Sequence, residues 1–153
     1  MIYVECKADE VLVKALGIPK KKLVHSGNKG GVCKKLQKSS ASLGIVDEDP
    51  GSSQPPYLSR LGSPKLSEYG LKLYEDKKTG NVLIVLCPFL EQWVLDAARE
   101  ARVDTAKYNL PGDGEGLHKV INQRLDKFRK LVEEAFPNSP RLRKLASVMR
   151  KAL

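Results

Sequence analysis

Apolar residues along this chain alternate between two spacings. Ile2, Tyr3 and Val4 are consecutive β-formers, and "MIYVECK" reads as a short buried strand. In "ADEVLVKALGI" the apolar positions Val11, Leu12, Ala15 and Leu16 form one helical face, closed by Gly17. "KKLVHSG" is a second short strand. "NKGGVCKKLQKSSA" is a second helix with Val32, Leu36 and Cys33 inward, and "SLGIVDED" is a third strand. Strand, helix, strand, helix, strand with short connections predicts parallel strands in an α/β fold.

The pattern then breaks. Residues 50–69, rich in Pro and Ser, carry no periodicity and predict a long loop with at most a helical turn. "LKLYEDKKTGNVLIVLCP" reads as a hairpin, two β-rich runs around a polar turn, which adds an antiparallel edge strand. "FLEQWVLDAAREARV" predicts a helix after Pro88, with Trp93 and Leu95 in the core. "DTAKYNLPGDGEG" predicts a second loop. Leu117, Val120, Ile121, Leu125, Phe128, Leu131 and Val132 recur at helical spacing and predict one long helix. A last amphipathic helix follows, capped by Ser139 with Pro140 in its first position. The expected architecture is one domain over 1–153: a mainly parallel sheet flanked by helices, with 115–153 as a C-terminal helical extension.

Charge changes the picture. The net charge is +9, unevenly spread: residues 1–40 carry +6, residues 41–118 carry −4 and residues 119–153 carry +7. Two basic flanks around an acidic middle fit a polyanionic partner, and equally a lysine-rich solvated surface. The longest apolar run, Val82 to Leu90, is interrupted by Pro88 and falls far short of the roughly 20 residues of a membrane span. Glu5 and Lys7 stand where a signal peptide would have its apolar segment, so none is expected. Three cysteines without CxxC spacing fit reduced thiols in a cytoplasmic protein, not a disulfide framework or a cysteine zinc site.

The densest negative charge, Asp47, Glu48 and Asp49, lies at the end of the third strand. In a parallel α/β sheet, ligands bind beyond the carboxyl ends of the strands. Glu5 ends the first strand, so adjacency of strands one and three would bring these acids to one edge. On an extended chain Asp47 and Asp49 point to the same side. Crowded carboxylates repel unless a cation joins them, and hard oxygen ligands suit Mg²⁺ or Mn²⁺. The alternative is a solvated turn at Asp49-Pro50-Gly51, with Glu5 paired to Lys7.

"YVECKADEVLVKAL", "HSGNKGGV" and "GIVDEDP" together resemble the Toprim domain, over roughly the first third of the chain. That family has a glutamate after strand one, a turn containing Gly and Lys after strand two, and Asp-x-Asp after strand three. It includes parts of topoisomerases, primases, recombination proteins and nucleases of the overcoming-lysogenization-defect type. The resemblance implies metal-dependent phosphodiester chemistry, with Glu5, Asp47 and Asp49 as catalytic and metal-binding residues. "TGNVLIVLCPFLEQWVLDAA" is similar to small stand-alone Toprim-like proteins and adds Glu91 as a fourth acid. Two features depart from the pattern: Cys6 stands where the family usually has glycine, and loop 50–69 is long.

Lys29 and Gly30 in "SGNKGG" would present charge and backbone N–H groups to a phosphate, although the spacing is not that of a P-loop. Lys7 and Arg60 are further candidates for nucleic-acid contact. Basic residues of the last two helices, Lys119, Arg124, Lys127, Lys130, Arg141, Arg143, Lys144 and Arg150, form either a solvated face or a set of phosphate contacts. His25 ends strand two, near the acidic edge or in a structural role. Two function classes follow: a small Mg²⁺- or Mn²⁺-dependent nuclease acting on DNA or RNA, or a non-catalytic Toprim-fold module, nucleic-acid-binding or regulatory, without turnover. A protein partner or homo-oligomer is compatible with either.

Overall fold

The computed structural model describes all residues, 1–153. Its centre is a six-stranded sheet in the order β2-β1-β3-β6-β5-β4. The strands are β1 (Ile2–Val4), β2 (Leu23–His25), β3 (Leu43–Asp47), β4 (Leu66–Glu68), β5 (Leu71–Asp76) and β6 (Asn81–Leu86). β2, β1, β3 and β6 run parallel, while β5 and β4 are antiparallel and form one edge. Seven helices accompany the sheet: α1 (Lys7–Ala15), α2 (Lys29–Gln37), α3 (Pro56–Arg60), α4 (Leu90–Glu100), α5 (Gly114–Val120), α6 (Leu125–Ala135) and α7 (Pro140–Ala152). This is an α/β, Rossmann-like architecture, and strands one and three are neighbours, the condition for Glu5 and the acids after strand three to share an edge. No helix is long and apolar enough to cross a membrane.

The sheet's two faces are unequal. Alternation along β3 sends Leu43 and Ile45 to one side and Val46 to the other. The first side joins α1 and α4 through α7 in one core of 29 buried residues, with Trp93 and Phe128 fully enclosed. The second side has a core of seven, built from α2, α3 and the alternate residues of β3 and β6. α2 lies close to the sheet there because β3 carries Gly44. A Cβ at that position would stand 2.8 Å from both Leu36 Cδ1 and Val32 Cγ1.

Two expectations are corrected. The long helix expected over 117–136 is broken into α5, a 3-10 turn over Ile121–Gln123, and α6. Arg124, at φ −134° and ψ 33°, is the break, and its guanidinium donates to the Asn109 carbonyl. Apolar spacing persisted across it because both segments bury the same side. Loop 50–69 contains a helical turn, α3, as expected, but also the short strand β4, which adds to β5. The C-terminal helix begins as expected, with Pro140 first and Ser139 Oγ accepting from Leu142 N at 3.2 Å. Trp93 lies in the core, its Nε1 donating to the Tyr69 carbonyl at 2.9 Å.

Candidate active site

Parallel pairing of β1 with β3 aligns Val4 with Ile45, so Glu5 and Asp47 follow just beyond that pair on adjacent strands. They meet: the Asp47 backbone N–H donates to Glu5 Oε2 at 2.8 Å. Asp47 Oδ1 in turn accepts from Leu90 N at 2.9 Å, at the start of α4. An anion at a helix N-terminus gains from the free N–H groups and the helix dipole. Two acids and three elements are thereby joined at the carboxyl edge of the sheet.

Beside these two half-buried acids stands a fully buried one that sequence reading did not select. Asp9 is 2% exposed. Its Oδ2 accepts from Cys6 N at 3.0 Å and from Cys6 Sγ at 3.1 Å, while Oδ1 is buried with no partner. In the sequence Asp9 looked like an ordinary first-turn acid of α1. The signal available was its position four residues after Glu5, one helical turn into the same edge. Glu91, in the first turn of α4, is 5% exposed and pairs with His118 Nδ1 at 2.9 Å.

These groups disturb one another. Burial pushes the Asp47 carboxyl up to about 8, and the charges of Asp9, Glu5, Glu91 and Asp49 push the same way. Glu5 rises to about 7, again through burial, which outweighs the opposing hydrogen bond from Asp47. Burial raises Asp9 to about 6, against the lowering effect of its bonds from Cys6, with Glu91 adding to the rise. Loss of water and the adjacent Asp9 push the Cys6 thiol up to about 12, which removes it as a nucleophile at neutral pH.

The remaining acids divide. β3 ends at Asp47, and Asp49 adopts φ 46°, so the extended geometry that would have aligned Asp47 with Asp49 stops short of Asp49. Asp49 is exposed, yet both residues line a cleft of about 320 Å³ together with Phe89, Glu91, Glu115, His118 and Lys119. Glu48 turns away to pair with Lys72 at 2.8 Å, and that contact lowers its carboxyl. The three consecutive acids therefore serve two purposes. No three Asp, Glu, His or Cys side chains, as they stand, are close enough to hold one ion. Glu5 and Asp47 each spend one oxygen on a backbone N–H instead.

The basic candidates are also divided. Lys29 is 8% exposed and donates to the Glu48 carbonyl at 2.8 Å and to Gln54 Oε1 at 3.0 Å. It ties the start of α2 to the loop after β3. The turn is tight: Asn28 caps α2 through Gly31 N, and a Cβ at Gly31 would stand 2.0 Å from the Ser26 carbonyl oxygen. Lys29 and Gly30 line a second cleft, of about 680 Å³, that includes Glu5 and Asp49. Arg60 sits over the Tyr57 ring at 5.8 Å, farther along the same flank. Lys7 is not part of this edge: it is exposed on α1 and lines a separate cleft with Glu10, Lys20 and His25. His25 pairs with Glu10 and is engaged there.

Comparison of the chain with protein-family models, with curated proteins and with solved structures gives no match in any of the three. The functional reading rests on the site itself.

Proposed function

We propose that the carboxyl edge of the sheet is a Toprim-like site for divalent-metal-dependent phosphodiester hydrolysis on nucleic acid. One observation carries the reading. Glu5, Asp9 and Asp47 are held together at that edge with Glu91 beside them, burial and neighbouring charge raise the carboxyls of the first three, and Asp9 Oδ1 has no partner at all. A fold does not retain such crowding for stability, since each ionised carboxylate there lacks the water or counter-charge that normally supports it.

The donor set is all carboxylate oxygen, which fits Mg²⁺ or Mn²⁺. Glu5, Asp47 and Asp49 would hold the ion, with Asp9 and Glu91 beside them. Bound there, the ion would offset negative charge on the phosphate and lower the pKa of its water. The protein's own groups do the rest. The Leu90 N–H orients the Asp47 carboxylate. The Asp47 N–H fixes Glu5 through Oε2 and leaves Oε1 free. The Oε1 oxygen of Glu5 would serve either as an ion ligand or, where Asp47 and Asp49 hold the ion without it, as the base that takes a proton from attacking water.

The second reading, a module that binds nucleic acid without turnover, is favoured by one feature: no three of the acids converge on a common point. The two part in a single assay. Labelled single- and double-stranded DNA and RNA are incubated with Mg²⁺, Mn²⁺ or EDTA. For a nuclease, cleavage requires metal and falls on the order of 1,000-fold in Asp47→Asn and Glu5→Gln. Binding that both variants retain, with no cleavage under any condition, establishes the module and rejects the enzyme.

A further inference from the structure

The cleft beside Glu5 and Asp49 does not end at α2. It shares Gln37 and Tyr57 with another cleft, also about 680 Å³, that reaches the turn between β5 and β6. The two therefore form one groove. It leaves the acidic edge at Lys29, follows the flank of α2 to Gln37, and ends at Lys77 and Lys78 on the hairpin. Nine residues of α2 make that flank about 13 Å long.

Charge along the groove is positive and largely uncommitted. Lys34, Lys77 and Lys78 are exposed and form no ion pair, while Arg60 meets only the Tyr57 ring. Of the groove's four acids, Glu5 and Asp49 belong to the acidic edge where it starts, and the two at its far end are already occupied. Glu75 pairs with Lys65 at 2.7 Å, and Asp76 accepts from Tyr57 Oη and from Lys78 N, each at 3.0 Å. The C-terminal helices commit some of their cations, Arg141 to Glu100 at 3.2 Å, Lys144 to Glu68 at 3.0 Å and Arg129 to Glu133 at 3.5 Å, and leave others, Arg143, Arg150 and Lys151 among them, exposed without an ion pair. Those helices also pack on the opposite face of the sheet, within the larger core.

We propose that this groove is the track for a single nucleic-acid strand. Its phosphates run from the acidic edge along α2, past Lys34 and Arg60, to Lys77 and Lys78. The proposal rests on the phosphodiester reading of the edge and adds the substrate's path and strandedness. A single strand, which bends freely, can follow the α2 flank with its phosphates beside Lys34, Arg60, Lys77 and Lys78, whereas a duplex is stiff over about 50 nm and would meet the flank as a rod. Lys29 keeps the far wall in place by holding Gln54.

The test is anisotropy binding of a labelled single-stranded oligonucleotide in EDTA over a range of salt. Two triple variants with equal charge loss are compared: Lys34→Gln/Lys77→Gln/Lys78→Gln, and Arg143→Gln/Arg150→Gln/Lys151→Gln. All six positions are exposed, so both proteins should fold. The groove variant is expected to lose on the order of tenfold or more in affinity, with a salt slope smaller by about 2, while the helix variant stays near wild type. In wild type, oligonucleotide should protect Lys34, Lys77 and Lys78 from acetylation. A helix variant weakened as much as the groove variant overturns the proposal. So does duplex binding as tight as single-strand binding, or no binding at all. Groove-dependent binding without metal-dependent cleavage would uphold the track and reject hydrolysis. Cleavage indifferent to the groove variant would do the reverse.

Discussion

The two faces of the sheet bury similar residue types to different depths. The α1/α4 face encloses 29 buried residues under helices from both ends of the chain. The α2/α3 face encloses seven, and it carries the long groove. Apolar burial stabilises roughly in proportion to area, so the deep face holds most of the fold's stability. The shallow face leaves a helix flank and a loop open beside the acids. Basic residues do not divide in the same way: Arg129, Arg141 and Lys144 on the deep side are paired with acids, but Lys119, Lys127, Lys130, Arg143, Arg150 and Lys151 there are exposed without an ion pair, as Lys34, Arg60, Lys77 and Lys78 are along the groove. What sets the shallow face apart is the groove, which leads its free cations to the acidic edge.

Substitutions can break that contrast. The largest stability loss belongs to the deep face: Phe128→Ala should cost about 3–5 kcal/mol in denaturant unfolding and leave oligonucleotide affinity unchanged. A loss below about 1 kcal/mol would mean that the helices add little to stability. Next is Gly44→Ala, whose methyl has no room between Leu36 and Val32. A cost of about 1–3 kcal/mol is expected. Because the substitution pushes on α2, it should also weaken strand binding, which Phe128→Ala should not. Equal effects of the two on binding would erase the distinction between faces. The smallest change is Lys144→Met, which removes a partly exposed ion pair with Glu68. It should shift stability by less than about 1 kcal/mol and leave binding unaltered.

How far the sequence disclosed this depended on how local each determinant was. Parallel β1, β2 and β3 were legible because apolar runs and intervening helices recur at short range. The Ser139-Pro140 start of α7 was legible because a cap is a local contact. The break at Arg124 was not, because apolar positions on either side continue to face one core. Glu5 and Asp47 were found through their places at strand ends, and the fold brings them into contact. Asp9 was missed because its burial depends on the packing of α1 into the larger core, which is a tertiary event. Asp49 was aligned with Asp47 by assuming extended backbone past residue 47, and its left-handed conformation breaks that assumption. Lys7 lies near Glu5 in the chain but opens onto another cleft. The groove itself joins α2, α3 and the β5–β6 turn, and no spacing in the sequence encodes that junction.

The central claim, that the crowded acids serve a cation, makes a sign-definite prediction for pH. Asp47, Glu5 and Asp9 have folded-state pKa values of about 8, 7 and 6, above those of the unfolded chain. Between roughly pH 4 and pH 8 the unfolded state releases these protons first, so stability falls as pH rises through that window. The most direct measurement is Tm at pH 8, with and without Mn²⁺, for wild type and Asp47→Asn. In EDTA, the variant should melt at or above the wild-type temperature, because one buried repulsion is gone. Saturating Mn²⁺ should raise wild-type Tm by about 5–10 °C, reversibly with EDTA, and leave the variant nearly unmoved. An equal Mn²⁺ shift in both proteins, or none in wild type, would contradict the claim.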